Sequence, residues 1–96
     1  MPNFPNGETA LQMWLARNVK YPKRTRKAKI QGTVLVSFTI DKDGKIAEAE
    51  VIKGIHTDAD AECLRIINTM PRWQPGLLEG EPVPVRYTVP VRFSIN

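Results

Sequence analysis

Apolar residues recur at helical spacing near the start of the chain. They follow the i, i+3, i+4, i+8 pattern of one face of an α-helix, at Leu11, Trp14, Leu15 and Val19. Pro22 ends this helix, because a proline pushes the residue before it out of the helical region. Residues 1–7 are rich in proline, asparagine and glycine, and we interpret them as a lead-in segment.

The next third of the chain alternates between apolar and polar residues, which predicts two paired strands. From Gln31 to Ile40 one face carries Val34, Val36, Phe38 and Ile40. Asp41–Gly44 follows, and its Asp-Gly pair supplies the positive φ of a tight hairpin. Lys45–Lys53 alternates again. We expect the inward-facing residues of this second strand to be Ala47, Ala49 and Val51.

A second helix and a long last strand complete the pattern. The apolar stripe of this helix is Ala59, Cys63, Ile66, Ile67 and Met70, with Asp58 or Asp60 as its cap and Pro71 as its end. Leu77 to Glu81 is predicted to be a loop, and Val83 to Ile95 alternates as one strand. The order α-β-β-α-β predicts an α+β fold, a small antiparallel three-stranded sheet with two helices packed on one face.

Composition and charge narrow the possible functions. The 96 residues, 42% hydrophobic and 25% charged, fit a single domain over residues 1–96. The net charge is +4, and six of the cations lie between Lys20 and Lys29, which favours anionic partners. Tyr21 is the sole aromatic residue among them and no nucleic-acid-binding motif is present, so we predict no nucleic acid partner. A solvated basic face, or one that meets anionic lipid or an acidic partner segment, remains open.

Few residues could carry out chemistry. Cys63 and His56 are the single cysteine and histidine of the chain. We expect an inert core thiol and a solvated loop histidine. Asp41 and Asp43 precede Gly44 as in a hairpin turn, without the later glutamate of a calcium loop. The sequence therefore predicts no enzyme, no cofactor and no metal site.

Prolines in the last strand place it at a sheet edge, because proline cannot donate to a ladder. Pro84 and Pro90 share parity, so both can face a free edge without removing an internal hydrogen bond. On this pattern Val85, Tyr87, Val89 and Val91 bond inward, while Arg86, Thr88 and Arg92 offer their backbone groups outward. The prolines either protect the edge from aggregation or bound a window that accepts a partner strand, and the two interpretations are compatible.

Several motifs in one order resemble the TonB C-terminal domain family, in its Bacteroidetes-type branch. They are Phe4-Pro5-Asn6-Gly7, Tyr21-Pro22, Gly32-Thr33-Val34, Asp43-Gly44, Pro71-Arg72-Trp73-Gln74-Pro75-Gly76 and the closing strand Val83–Phe93. Asn6 stands where this branch often has glycine, and Thr25 where alanine often follows Tyr-Pro. The resemblance covers nearly the whole chain.

The resemblance implies the periplasmic end of an energy transducer whose parent protein is anchored in the inner membrane. Such a domain binds the TonB box of outer-membrane TonB-dependent transporters as an added strand, and so couples proton-motive force to uptake. The motor proteins ExbB and ExbD would act through an N-terminal region that this chain lacks, as expected of an excised or stand-alone terminal domain. The implied partner-binding residues are Asn18, Val19, Lys20, Tyr21, Pro22, Val85, Arg86, Tyr87, Thr88, Val89 and Arg92.

Other functions fit the same resemblance or the same charge. TonB-like domains also occur at the ends of membrane sensors and peptidase-type regulators. There the pairing with a ligand would signal that the ligand is bound and would not transmit force. A basic module for membrane surfaces or nucleic acid is a further alternative. A free edge also permits a strand-swapped homodimer. In a transducer, Arg86, Arg92 and the Lys20–Lys29 stretch are expected to steer an acidic box segment.

Overall fold

The computed structural model describes residues 3–94, and its central strand forms the middle of the core. Along this strand Val34, Val36, Phe38 and Ile40 are all fully buried on one face. The elements in chain order are α1 (Glu8–Asn18), α2 (Lys23–Lys27), β1 (Gly32–Ile40), β2 (Ile46–Lys53), α3 (Thr57–Ile67), β3 (Gly76–Leu78), β4 (Glu81–Val83) and β5 (Val85–Phe93).

The main sheet has the strand order β2-β1-β5, and both pairings are antiparallel. Helices α1 and α3 cover its apolar face with the side chains of Leu11, Leu15, Ala59, Cys63, Ile66 and Ile67. α3 packs on β1 and β2, and α1 lies against β5. The predicted α+β fold, a three-stranded antiparallel sheet with helices on one face, is therefore confirmed.

Two additions were not predicted. The basic connection after Pro22 forms the short helix α2, which packs on α3 and buries Thr25. The expected loop over Leu77–Glu81 is wrong, because β3 and β4 pair there as a small hairpin. Glu79 and Gly80, with φ of 50° and 82°, form its turn, and positive φ at both central positions matches the twist of paired strands.

The alternation predicted for β2 is wrong at one residue. Ile46, Ala49 and Val51 pack against the core, and Ala47 does not. The pairing with β1 shifts register between Ser37 and Thr39, and Glu48 adopts a φ of 51°. Such a bulge inserts one residue and reverses the parity of what precedes it, so Ile46 takes the inward position expected of Ala47.

The last strand also differs from its prediction. Pro84 separates β4, which pairs with β3, from β5, which pairs with β1. The predicted strand end at Ile95 lies outside the described residues. The predicted strand is therefore divided between two sheets, with β4 in the small hairpin and β5 in the main sheet. The longer part, β5, carries the candidate site.

Candidate partner-binding edge

Strand β5 lies at the edge of the main sheet. It pairs with β1 without a register break, from Gly32 opposite Phe93 to Ile40 opposite Val85. Among residues 3–94 no strand pairs with its other side. The prediction that the proline-containing strand is an edge strand is confirmed.

Pro90 shows which backbone groups face that edge. It lies opposite Leu35 in β1, and a proline has no N–H to exchange across a ladder. Hydrogen-bonded and non-bonded pairs alternate in antiparallel strands, so the parity of Pro90 is the outward one. The backbones of Val85, Tyr87, Val89 and Val91 therefore bond to β1, and those of Arg86, Thr88, Pro90 and Arg92 face outward.

Prolines restrict the donors on this edge to a short stretch. Pro84 precedes β5, Pro90 lies within it, and both have outward parity. Between them only Arg86 and Thr88 present an outward N–H together with an outward C=O. We name this stretch, Val85–Val89, the edge window.

The side chain of Arg86 points away from the edge. Its guanidinium crosses the sheet and donates to Thr39 Oγ1 at 3.0 Å, to the Glu48 carbonyl at 2.8 Å and to Glu50 Oε1 at 2.9 Å. The ion pair with Glu50 satisfies its charge within the domain. At the edge Arg86 therefore presents its backbone groups. Its guanidinium, which the sequence predicts to steer a partner, is bound within the domain.

Tyr87 has its side chain on the core face and is part of an aromatic cluster. Its ring centroid lies 5.1 Å from that of Trp73 and 6.0 Å from that of Phe38. Phe4 extends the cluster, with its centroid 5.5 Å from Trp73. Phe4 of the lead-in is therefore part of the core, which sequence reasoning missed although an apolar Phe4 within a polar segment was the available signal.

Helix α1 lies beside the other half of β5. Gln12, Ala16 and Val19 line a groove together with Pro90 and Arg92. The helix therefore flanks the outward groups at the Phe93 end of the strand. No residue of the edge window, which lies nearer Val85, lines this groove.

The predicted second contact region, Asn18–Pro22, is fixed at that Phe93 end. The ring of Tyr21 packs edge-on against Phe93 with centroids 5.4 Å apart, and its hydroxyl donates to the Ile30 carbonyl. Val19 lies in the groove beside Pro90. The structure thus brings Val19 and Tyr21 to β5, although not to the edge window.

Lys20 is held on the other side of the same region, against α3. Its backbone N–H donates to Glu62 Oε2 at 2.7 Å, and the guanidinium of Arg65 donates to the same carboxylate. The hydrogen bond from Arg65 is the main cause that lowers the pKa of Glu62. Nothing in the local sequence around Glu62 indicated this role.

Asn18 and Pro22 complete the region. The Asn18 side chain donates to the Trp14 carbonyl at 2.8 Å and so satisfies the last turn of α1. Pro22 lies in extended backbone at the start of α2 and borders a groove with Lys20 and Glu62. Both residues therefore shape the chain path between α1 and α2.

The residues set aside as sites occupy structural positions. Cys63 is fully buried, and burial raises the pKa of its thiol to about 12. The expectation of a solvated loop histidine is wrong, because His56 is half-buried with Nδ1 2.7 Å from Oγ1 of the buried Thr25. In the described part of the chain, no three His, Cys, Asp or Glu side chains cluster as metal ligands would. No helix within residues 3–94 is long and apolar enough to cross a membrane.

Comparison with known proteins identifies the family. Residues 17–95 match the family described as the Gram-negative bacterial TonB protein C-terminal. The chain belongs to the TonB C-terminal domain family. The TonB protein of Vibrio cholerae serotype O1 is 31% identical over 78 residues, which cover 80% of this chain and 32% of that protein. The TonB protein of Helicobacter pylori strain J99 is 40% identical over 48 residues, which cover 50% of this chain and 17% of that protein.

Solved TonB C-terminal domains share the fold. Two solution structures of the Helicobacter pylori domain superpose with TM-scores of 0.66 and 0.65 at 27% and 26% identity. They cover 88% and 90% of this chain, and 77% and 90% of their own. In TonB proteins this C-terminal domain is periplasmic and is not an enzyme. The chain spans a third or less of the length of the TonB proteins it matches.

Proposed function

We propose that this TonB domain binds the TonB box of an outer-membrane transporter as an added strand on the edge window. The observation that carries the proposal is the outward pairing capacity of Arg86 and Thr88 between two prolines on an edge strand. Backbone pairing to an edge gives affinity with little demand on side chains, and side-chain contacts then tune the choice of partner.

The docked strand would transmit force from the parent protein. That protein is anchored in the inner membrane, and ExbB and ExbD drive it through its N-terminal region. Each added hydrogen bond contributes on the order of 1 kcal/mol net, so the few bonds of the edge window give reversible binding. A pull along the strand direction loads these bonds together, because they lie side by side across the two strands.

The remaining predicted residues would act around this window. Val85, Tyr87 and Val89 hold β5 on β1 and so keep the outward groups in line. The groove that Val19 shares with Pro90 and Arg92 offers contact to a segment that runs past the window. Lys20, Tyr21 and Pro22 keep that groove in place through their contacts with α3 and Phe93.

A heteronuclear NMR titration with peptides from transporter N-termini tests the proposal. We expect chemical-shift changes concentrated on Val83–Phe93, with smaller ones at Asn18–Pro22. The variant Thr88→Pro removes one of two outward donors and should weaken binding about tenfold, because one hydrogen bond is lost and the ring blocks the approaching strand.

Thr88→Val is the matched control, since it changes the side chain and keeps the backbone N–H. Its affinity should stay within about twofold of the parent domain. Equal losses in both variants would mean that the Thr88 side chain, and not an added strand, makes the contact. Shifts that avoid β5 altogether would reject the proposal.

A further inference from the structure

Four cations around α2 form no ion pair or side-chain hydrogen bond with another residue of the described range 3–94. The only buried residue of α2 is Thr25, and the side chains of Lys23, Arg24, Lys27 and Lys29 are exposed. Neither of the two ion pairs found within residues 3–94 includes any of them. We name these four residues the α2 patch. Its unneutralised charge favours an anionic ligand.

Aromatic packing places α2 near the Phe93 end of β5. The Tyr21 ring contacts Phe93, and the guanidinium carbon of Arg26 lies 5.9 Å from the centroid of the same ring. The chain then enters β1 at Gly32, which pairs with Phe93. One of the two ends of a strand docked on β5 therefore lies at the Phe93 end, the end of the sheet that is nearer to α2.

The other end of β5 has the opposite character. Val85 pairs with Ile40, after which the β1–β2 turn presents Asp41 and Asp43. The β3–β4 hairpin adds Glu79 and Glu81, both exposed, to the segment that leads into β5. Lys42 and Lys45 lie in the same turn and offset part of this charge. The charge of Arg72 also acts on Asp41, so the Val85 end of the edge is close to neutral, whereas the four residues of the α2 patch carry a charge of +4.

We propose that the partner segment is bipartite, with a short stretch that pairs with the edge window and an acidic run that contacts the α2 patch. This inference rests on the proposed function and specifies its partner. Thr88 and Phe93 are five residues apart, roughly 17 Å along a strand. The acidic run therefore begins about five to seven residues beyond the residue that pairs with Thr88, on the Phe93 side.

Three synthetic peptides test the arrangement. Each contains the strand segment Val-Thr-Val-Thr-Val, and each joins it through a Ser/Gly spacer of about six residues to a run of about four residues. In the first peptide the run is glutamate and lies at the N-terminus, and in the second it is glutamate and lies at the C-terminus. In the third peptide the run is neutral glutamine. NMR titration at low and high salt gives the affinities and the residues contacted.

We expect one of the two glutamate peptides to bind about fivefold to tenfold more tightly than the glutamine peptide at low salt. The gain should fall below about twofold at high salt, because exposed charges are screened. The peptide that gains also reports the direction of the added strand. No gain in either, or an equal gain in both, would overturn the inference.

A pair of matched variants locates the effect. Lys23→Glu with Lys27→Glu should abolish the gain, whereas Lys42→Glu with Lys45→Glu should keep it, although each pair changes the net charge from +4 to 0. Equal losses would assign the gain to net charge. Shifts confined to α2 without β5 would overturn the bipartite arrangement.

The glutamine peptide keeps the two proposals apart. Its binding depends on the edge window alone, so Thr88→Pro should weaken it while the α2 variants leave it unchanged. Failure of the glutamine peptide to contact β5 would count against strand addition. Normal binding of that peptide without a glutamate gain would count against the α2 patch alone.

Discussion

At the scale of single residues, Gly44 joins the β1–β2 turn to the segment after α3. Its φ is 82°, and a Cβ built there would lie 2.0 Å from the carbonyl oxygen of Trp73. The Trp73 N–H donates to the Gly44 carbonyl at 2.9 Å, which holds the two backbones together. Gly44→Ala should lower the free energy of unfolding by about 3 kcal/mol or more in urea denaturation, because these backbones must separate.

Gly80 provides the control for Gly44, since its φ is also 82° and a Cβ there meets nothing within 4 Å. Gly80→Ala should cost about 1 kcal/mol, the price of the backbone conformation alone. If the two alanine variants lost the same stability, the close approach to Trp73 would be irrelevant.

Cys63 is expected to be chemically inert in the folded domain. Burial raises the pKa of its thiol to about 12, with smaller contributions from the charges of Asp60 and Glu62. The thiolate is the reactive form, so near neutral pH the native protein should react with a disulfide reagent far more slowly than the urea-unfolded protein. Equal rates for the two states would contradict the burial of this side chain.

At the scale of elements, Glu62 ties the connection between α1 and α2 to α3. Its carboxylate accepts hydrogen bonds from the Lys20 N–H and from the guanidinium of Arg65. The bond from Arg65 is the main cause that lowers the pKa of Glu62 below its usual 4.5. A carboxyl group whose pKa is lower in the folded state stabilises the fold above its unfolded pKa. That stabilisation is lost as the pH falls from 4.5, the usual pKa of a glutamate, to values below the lower pKa of Glu62 in the folded state.

Glu62→Gln should therefore cost roughly 1 kcal/mol near neutral pH. The difference from the parent domain should shrink in denaturation curves recorded at decreasing acidic pH, and amide exchange at Lys20 should accelerate. Glu81→Gln removes an exposed carboxylate that forms no ion pair within residues 3–94 and serves as the control. A stability difference that does not change with pH would show that the charge of Glu62 has no role.

The start of α3 shows how local signals can mislead at this scale. Asp58 and Asp60 were expected caps, yet the helix starts at Thr57 and His56 is its N-cap residue. Asp60 Oδ1 instead accepts the N–H of Ile55 at 3.0 Å, from within the first helical turn. An acidic residue near a helix start is favourable at several positions, so residue type alone does not fix the boundary.

At the scale of the whole molecule, the prolines of the edge strand are expected to control self-association. Pro84→Thr with Pro90→Thr would add one outward N–H group on each side of the edge window, and the inward pairing with β1 would be retained. Stability should fall by less than about 1 kcal/mol, and sedimentation should detect dimers at lower concentration than for the parent domain.

Pro5→Thr, in the exposed part of the lead-in, is the control for this experiment. It should leave the association state unchanged. A double variant as monomeric as the parent domain would show that the prolines do not protect the edge. The strand-swapped homodimer stays a prediction, and the same sedimentation data on the parent domain test it.

The sequence by itself determined the local features of this TonB domain. The alternation in β1 and the helical spacing before Val19 predicted the right elements, because a repeating pattern of burial is written into neighbouring residues. The parity of Pro84 and Pro90 likewise predicted an edge strand and its outward residues. Each of these inferences needs only the geometry of one element and the absent N–H of proline.

The tertiary structure alone decided which other elements contact the edge strand β5. The groove at the Phe93 end of β5 depends on where α1 packs, and the guanidinium of Arg86 turns to Glu50 on β2. The bulge at Glu48 depends on the register between β1 and β2. The hydrogen bond from Lys20 to Glu62 joins residues that are distant in sequence. Such contacts are fixed by packing between elements, and no period within one element encodes them.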